Sequence, residues 1–312
     1  MSKIAFLFPG QGSQSVGMGH DFYQEYDSVR DLFDMAEEVT KINLSKLCFK
    51  GPMEDLTATV NLQPAVTAVN LAALAATEQV GVRADISAGH SLGEYSALTA
   101  AGVLSREDTI RVVHKRSILM HREATRHPGA MCAIVGLPID AVNALCAAAR
   151  EVGLVSVANH NMETQVVISG EPDAVETVSR QAAAQSARAV PLKVSGAWHS
   201  ELIRGAEGEF RNFLGTIEFQ APASPVIHNV TARDTDDPNQ IRSTMADQLC
   251  SPVRWFDSMH RLLEEQVDTF VEIGPGKVLT GLLRKIVPPE HDCRMFNVNS
   301  MKTFEKYVHA VT

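Results

Sequence analysis

The chain has 312 residues, of which 45% are hydrophobic and 21% charged, as in an ordinary globular protein of about two domains. With 28 basic and 37 acidic residues its net charge is -9 and it has no lysine or arginine block, so nothing favours nucleic-acid binding. No apolar stretch is long enough to span a membrane and no signal peptide precedes the first strand, so we expect a cytoplasmic protein.

Cysteine and histidine spacing gives no metal site or disulfide framework. The five cysteines are scattered without a C-x-x-C pair, which favours reduced thiols. His114, His121 and His127 fall near one helical face, but no carboxylate or cysteine completes a ligand set at that spacing. We therefore expect surface histidines and no bound metal.

The first third of the chain begins with a buried strand, Lys3–Phe8, and a loop that contains Gly10 and Gly12. Ser15 stands where the G-x-G-x-x-G pattern needs its third glycine, so a nicotinamide-nucleotide site is not supported. Three helical patterns follow, over about Gly19–Leu56, about Asn61–Gln79 and about Ser105–Arg126.

The pattern changes at His127-Pro128-Gly129. The next elements alternate in the order β-α-β-β-α-β, which is the ferredoxin-like split unit. They are Met131–Leu137, Ile139–Arg150, Leu154–Asn159, Gln165–Ser169, Pro172–Ala187 and Ala189–Val194. We predict an inserted α+β subdomain at residues 128–195, within a larger domain made of residues 1–127 and 196–312.

Strands and helices alternate again after the insertion. The sequence predicts strands at Pro225–Val230, Thr269–Ile273 and Met295–Val298, and helices up to about Leu214, over Gln240–Leu249, over Trp255–Glu265 and from about Val278. Strand–helix alternation on both sides of the insertion indicates an α/β fold with a mostly parallel sheet.

One stretch, Asp85–Leu98, indicates chemistry. An apolar, strand-like lead-in reaches Gly89-His90-Ser91-Leu92-Gly93, and a helical pattern follows, so G-x-S-x-G stands in a strand–turn–helix context. A serine at such a turn has an exposed Oγ beside a helix N-terminus, whose free N–H groups favour a developing oxyanion. The alternative is a plain helix start with Ser91 as its N-cap. We predict a nucleophilic Ser91 on an α/β-hydrolase-like core.

A serine nucleophile needs a base, and the histidine C-terminal to it in a turn-like stretch, His199, is the first candidate. His228, at a strand end, is its rival. Asp247 and Asp257 are candidates for a third triad member, but a main-chain carbonyl or an amide oxygen could equally orient the ring.

Five motifs occur in the order found in one family. They are Phe8-Pro-Gly-Gln-Gly-Ser-Gln14, Gly89-His-Ser-Leu-Gly-Glu94, Gly196-Ala-Trp-His-Ser200, Gln248-Leu-Cys-Ser-Pro-Val253 and Glu272-Ile-Gly-Pro-Gly276. The chain therefore resembles the malonyl-CoA:acyl-carrier-protein transacylases, and the resemblance covers essentially its whole length. The resemblance includes the ferredoxin-like insertion.

The resemblance implies a role for each matching residue. Ser91 matches the acyl-accepting nucleophile and His199 its base. Gln248 matches the residue that orients the histidine through an oxygen, and Gln11 and Leu92 match the positions whose backbone N–H groups form the oxyanion hole. Arg116 matches the arginine that pairs with the free carboxylate of malonate. Gln63 and Asn159 match positions that line the pocket.

The implied reaction is ping-pong transfer of malonyl from malonyl-CoA to the phosphopantetheine thiol of acyl carrier protein, without a cofactor. Alternatives are a thioesterase or editing hydrolase with the same serine and histidine, and an acyltransferase of a polyketide or malonate-decarboxylase system. Trp198 stands where the family more often has Phe, close to the acyl pocket. It leaves the choice of malonyl or methylmalonyl open, although the small Ala197 favours malonyl. We expect a monomer, because no apolar stripe remains after the core is placed.

Overall fold

The computed structural model describes residues 2–311, and all structural statements below refer to this part of the chain. Its strands are β1 Ile4–Phe8, β2 Ile86–Gly89, β3 Ala130–Val135, β4 Val155–Met162, β5 Gln165–Gly170, β6 Arg188–Pro191, β7 Val226–Ile227, β8 Thr269–Ile273 and β9 Arg294–Val298.

The helices are α1 His20–Glu25, α2 Asp27–Thr40, α3 Leu44–Lys50, α4 Met53–Thr57, α5 Thr59–Gln79, α6 Gly93–Ala100, α7 Arg106–Arg126, α8 Ile139–Ala148, α9 Pro172–Ala184, α10 Glu207–Leu214, α11 Pro238–Asp247, α12 Trp255–Glu264, α13 Val278–Ile286 and α14 Met301–Val311. Two 3₁₀ turns, Ala149–Glu151 and Glu201–Ala206, connect elements. None of the helices described between residues 2 and 311 combines the length and apolar character that a bilayer span requires.

The larger sheet has the order β7-β2-β1-β8-β9, and all its strand pairs are parallel. Phe6 and Phe8 of β1 belong to the core on one face, with residues of α2, α5, α6 and α7, whereas Ala5 and Leu7 belong to the core on the other face, with residues of α12 and α13. This alternation follows from the two-residue period of a strand that is covered on both faces. The α/β-hydrolase-like core predicted from the sequence is confirmed.

The second sheet has the order β4-β5-β3-β6 and is antiparallel, which is the arrangement of a ferredoxin-like unit. It has its own hydrophobic core, formed with residues of α8 and α9. The fold class is therefore as predicted. The domain boundaries at residues 128 and 195, and the monomeric state, remain predictions.

The sequence pattern was wrong in detail between Gly19 and Leu56, where four helices replace one helical stretch. The first break lies at the extended Tyr26, the second at Lys41, whose φ is 58°, and the third at Gly51 and Pro52. Other bounds differ by a few residues. The helix predicted to end at Leu214 starts as a 3₁₀ turn, and the strand predicted at Pro225–Val230 shortens to the two residues of β7.

Candidate active site

The turn between β2 and α6 holds Ser91 at the carboxyl end of the parallel sheet. Ser91 has φ 50°, in the left-handed region that non-glycine residues rarely adopt. A Cβ on Gly89 would lie 2.1 Å from the Gly93 carbonyl carbon, and a Cβ on Gly93 would lie 1.9 Å from the Phe8 oxygen. Both positions of G-x-S-x-G therefore require glycine because backbone approaches backbone, and the turn is a strained nucleophile elbow.

Two backbone N–H groups lie beside this turn. Phe8 pairs with Gly89 in the sheet, so the loop after β1 and the elbow after β2 leave the sheet side by side. The two loops lie in close contact, since a Cβ added to Gly10 would be only 2.5 Å from the His90 main-chain oxygen. Within residues 2–311, the N–H groups of Gln11 and Leu92 have no hydrogen-bond acceptor. These two donors are available for a ligand oxygen, as an oxyanion hole requires.

His199 contacts the nucleophile directly. Its Nε2 lies 2.7 Å from Ser91 Oγ, and its Nδ1 lies 2.9 Å from the main-chain oxygen of Gln248 and 3.0 Å from that of Ser251. A carbonyl oxygen only accepts, so Nδ1 carries the proton and Nε2 is free to accept from Oγ–H. Burial, and then the positive charge of Arg116, lower the pKa of His199 to about 3. The imidazole is therefore neutral and oriented as a base.

The carboxylates and the second histidine that were weighed as alternatives lie elsewhere. Asp247 pairs with Arg211, and Asp257 pairs with Arg254 on the surface. His228 is buried, and its Nδ1 lies 2.8 Å from a carboxylate oxygen of Glu94. Among the described residues, main-chain carbonyls rather than a carboxylate orient His199.

Arg116, on α7, is only 2% exposed. Its Nη1 donates to Gln63 Oε1 at 2.7 Å, and its Nη2 donates to Ser91 Oγ at 3.2 Å and to Gln248 Oε1 at 3.3 Å. The guanidinium carbon lies 5.6 Å from the centroid of the Tyr95 ring. No ion pair joins Arg116 to a carboxylate in the described chain, and burial lowers its pKa. This buried cation lies next to Ser91 with no carboxylate in ion-pair contact, although the charge of Glu94 acts on it at longer range.

A cleft of about 280 Å³ opens between the two sheets above Ser91. Gln63, Asn159 and Trp198 all line it, together with apolar side chains that accompany both sheets. Gln63 contacts Arg116, whereas Asn159 and Trp198 are 7% and 4% exposed and form part of the wall. The apolar members of the lining are Leu92, Met120, Met131, Ala133, Val167, Leu192, Val194, Val278, Leu279 and Leu282.

Sequence reasoning did not find Asn229 as a site residue. Its Oδ1 accepts from the N–H of Ser91 at 2.6 Å, and its Nδ2 donates to the Gly89 oxygen at 2.7 Å, so one side chain ties both arms of the elbow. Nor did it find that Asn161 bonds His90, at 2.8 Å. The sequence placed Asn229 inside the predicted strand Pro225–Val230, whereas β7 ends two residues before it, at Ile227.

Metal-ligating side chains do not cluster in the described residues: no group of three or more His, Cys, Asp or Glu could hold an ion. The five cysteines are unpaired, and three of them, Cys48, Cys132 and Cys146, are buried. The chemistry of this cleft rests on the serine, the histidine, the arginine and backbone groups.

Comparison with known proteins agrees with this geometry. The acyl transferase domain family matches residues 5–298. The malonyl CoA-acyl carrier protein transacylase of Bacillus subtilis (strain 168) is 44% identical over 288 residues, which cover 92% of this chain and 91% of that protein. The chain belongs to the acyl transferase family of malonyl CoA-acyl carrier protein transacylases.

Solved structures that resemble this chain are named as members of the same family. An acyl carrier protein S-malonyltransferase from Vibrio cholerae is 40% identical to the enzyme, with a TM-score of 0.93 over 98% of this chain and all of that one (100%). A malonyl-transacylase solved with its type II polyketide-synthase acyl-carrier protein is 36% identical, with a TM-score of 0.94 over 99% of this chain and 100% of that one. These comparisons favour a transferase over the hydrolase alternative.

Proposed function

We propose that the enzyme transfers a malonyl group from malonyl-CoA to the phosphopantetheine thiol of an acyl carrier protein, through a malonyl ester on Ser91. The observation that carries this proposal is the buried guanidinium of Arg116, which has no carboxylate in direct contact among the described residues and lies 3.2 Å from Ser91 Oγ. A buried charge is costly unless it is paired. A substrate carboxylate supplies the missing charge.

Arg116 then selects the acyl group. A guanidinium binds a carboxylate with two parallel hydrogen bonds, which are stronger than neutral ones. An acetyl group would leave the buried cation without a paired carboxylate, so acetyl-CoA is a poorer donor than malonyl-CoA. The substrate class is therefore the half-thioester of a short dicarboxylic acid.

The first half-reaction follows from the positions of three groups. His199 Nε2 takes the proton from Ser91 Oγ as this oxygen attacks the thioester carbonyl. The N–H groups of Gln11 and Leu92 donate to the oxyanion of the tetrahedral intermediate. When the intermediate collapses, the C–S bond breaks, the CoA thiolate leaves and takes the proton from His199, and malonyl-Ser91 remains.

The substrate carboxylate also affects the base. The charge of Arg116 is the second cause, after burial, of the low pKa of His199. A carboxylate paired with Arg116 removes much of this effect, so His199 is a stronger base when malonyl-CoA is bound than in the free enzyme. Binding of the correct acyl group thereby prepares the proton transfer.

The second half-reaction returns the enzyme to its starting state. The carrier thiol gives its proton to His199 and attacks the ester carbonyl, and Ser91 Oγ leaves and takes the proton back. Support for the partner comes from the names of the relatives and from the related malonyl-transacylase solved with a carrier protein. The reaction uses malonyl-CoA and the carrier protein as substrates and needs no cofactor.

Intact-mass spectrometry tests the proposal. The enzyme is mixed with malonyl-CoA, and holo acyl carrier protein is added afterwards. We expect one malonyl adduct that maps to Ser91 and moves to the carrier, and no adduct on Ser91→Ala. An adduct that is lost to water at the same rate with and without carrier would indicate the hydrolase, and an adduct only with another acyl-CoA would overturn the substrate.

A further inference from the structure

A fully buried carboxylate, that of Glu94, lies in the first turn of α6, three residues after the nucleophile. No lysine or arginine forms an ion pair with it in the described chain. Its Oε1 accepts from His228 Nδ1 at 2.8 Å, and its Oε2 accepts from Gln248 Nε2 at 2.5 Å and from the Asn229 N–H at 3.3 Å. Three donors from two separate segments thus converge on one side chain that does not touch His199.

The bond to Gln248 determines how this amide is oriented. Its Nε2 donates to Glu94 and to the Ser91 oxygen, at 3.1 Å. Because an amide presents its nitrogen and its oxygen on opposite sides, Oε1 is turned towards Arg116 and accepts from Nη2 at 3.3 Å. Without Glu94, the Gln248 NH₂ group keeps only the Ser91 oxygen as an acceptor, so the amide is held less firmly in the orientation that faces Arg116.

The bond to the Asn229 backbone reaches the nucleophile. Asn229 holds the strained elbow through the Ser91 N–H and the Gly89 oxygen. Glu94 accepts from the N–H of the same residue and from the His228 ring beside it. This carboxylate therefore fixes the segment after β7 against the elbow.

We infer that Glu94 is a positioning residue for acyl transfer, acting through Gln248 on Arg116 and through Asn229 on Ser91. In serine enzymes with a Ser-His-Asp triad the buried carboxylate holds the histidine. Here main-chain carbonyls hold the histidine, and the buried carboxylate holds the arginine and the nucleophile instead. The Arg116 part of this inference rests on the proposed function.

Glu94→Met and Glu94→Gln separate positioning from charge. E94M keeps the volume but removes the acceptors, and a misplaced reacting group can cost on the order of 100-fold in rate. We expect this loss in Ser91 acylation per titrated active site, with a smaller malonyl-over-acetyl preference. E94Q can place its oxygen towards Gln248 and Asn229 and its NH₂ towards His228, whose Nδ1 accepts once the ring proton moves to the unpartnered Nε2, so we expect activity within about threefold of native. An E94Q loss as deep as that of E94M would overturn positioning in favour of charge.

Glu123→Gln is the matched control. Glu123 is also a buried acid, 2% exposed, but it pairs with Arg122 and Arg126 on the outer side of α7. E123Q removes a buried charge outside the site, so its rate per active site should equal the native rate. Native-like rates in E94M as well would refute the inference.

A double-variant cycle tests the route through Gln248. Gln248→Met removes the amide but leaves the main-chain oxygen that holds His199. If Glu94 acts mainly through this amide, adding E94M to Q248M should cost no more than about threefold, since coupled sites are not additive. Full additivity would contradict the route. In the double variant the Gln248 amide is absent, so it is not left without an acceptor. The rate of the double variant can therefore be compared with that of Q248M even if E94M alone does not fold.

A fluorophosphonate that labels active serines separates this inference from the proposed function. It reports the Ser91 and His199 geometry without any malonyl group. E94M should slow labelling of Ser91, and E123Q should not. Should native enzyme take up the phosphonate but not malonyl, the proposed function fails and the effect of Glu94 on Ser91 can still be measured.

Discussion

Arg116 Nη2 and Ser91 Oγ lie 3.2 Å apart, so the cation proposed to bind the acyl carboxylate contacts the atom proposed to accept the acyl group. This short distance limits the acyl chain. In malonyl-serine one methylene separates the ester carbonyl from the carboxylate, whereas longer dicarboxylates would carry the carboxylate past the guanidinium. The distance between Arg116 Nη2 and Ser91 Oγ thus limits the length of the acyl group that can bind both residues.

The first prediction concerns Arg116→Met, which keeps a long side chain but removes the charge. Hydrogen bonds to charged groups contribute about 1.5–3 kcal/mol, so malonyl transfer should fall about 10- to 100-fold. Acetyl transfer should change much less, because acetyl makes no such bond. Steady-state transfer assays with both donors measure the two effects.

Arg122→Met is the control for this variant. Arg122 lies on the same helix, half-buried and outside the cleft lining, where it pairs with the buried Glu123 and with Glu209. Removing these pairs affects stability and not the site, so both transfer rates per folded enzyme should remain near native values. Equal losses with malonyl and acetyl in R116M would mean that Arg116 does not read the carboxylate.

The second prediction concerns Gly93→Ala at the elbow. The new Cβ would lie 1.9 Å from the Phe8 oxygen in the central strand, and neither backbone can move without disturbing the sheet. We expect the free energy of unfolding to fall by about 3 kcal/mol and activity to be lost. Urea denaturation followed by circular dichroism measures the first effect.

Gly208→Ala is its counterpart. Gly208 lies in α10, and an added Cβ would meet no atom within 4 Å. Alanine in a helix is favoured over glycine by about 0.5–1 kcal/mol, so G208A should be slightly more stable and fully active. If G93A were as stable as native protein, the close approach at the elbow would be wrong.

The third prediction concerns pH. His199 has a pKa of about 3, so it is neutral and competent as a base throughout the range above about pH 4. The second-order rate constant of acylation, kcat/KM, which reports the free enzyme, should therefore show no acid limb near pH 6.5, and should fall only as the pH approaches that low value. Rapid-quench measurement of malonyl-Ser91 between pH 4.5 and 8 tests this in folded enzyme.

The R116M variant tests whether the charge of Arg116 lowers the pKa of His199. Removing the positive charge removes one cause that lowers the pKa of His199, so the acid limb should move upwards, towards the ordinary value of 6.5. An acid limb at the same pH in both proteins would show that Arg116 does not influence the base. A native limb between pH 6 and 7 would contradict the low pKa itself.

The fourth prediction concerns Asn229→Ala. The substitution leaves the Ser91 N–H and the Gly89 oxygen without their partner in a buried turn, which costs about 1–3 kcal/mol for each group. We expect lower thermal stability and slower acylation per active site. Asn212→Ala, at an exposed position of α10, should change neither quantity. A stable and fully active N229A would show that Gly89 and Gly93 alone maintain the elbow.

Local signals explain what the sequence predicted well. The glycines around Ser91 and the strand-to-helix switch lie within a few residues, and the β-α-β-β-α-β order of the insertion is a pattern of neighbouring elements. These features depend on backbone sterics and side-chain periodicity, which the chain shows directly. The elbow and both sheets could therefore be predicted.

The parts that escaped prediction depend on distant contacts. Asn229 lies 138 residues from Ser91, and Gln248 lies 154 residues from Glu94. No periodicity relates such positions, and buried asparagine, glutamine and glutamate look like ordinary surface residues in sequence. The left-handed Lys41 that ends α2 is similar, since lysine gives no sign of a positive φ.

The hydrogen bonds of His199 to two main-chain oxygens affect which residues a scan of substitutions would detect. Neither Gln248 nor Ser251 contributes its side chain to that hydrogen bond, and the two oxyanion donors at Gln11 and Leu92 are backbone groups as well. Substitution changes side chains only, so a scan of single replacements should identify Ser91 and His199 and pass over Gln11 and Ser251, whereas Gln248 and Leu92 would respond through other contacts of their side chains. Part of the proposed catalytic apparatus is thus inherited as chain conformation, and sequences that change at Gln11 or Ser251 can keep the chemistry as long as they keep the turns.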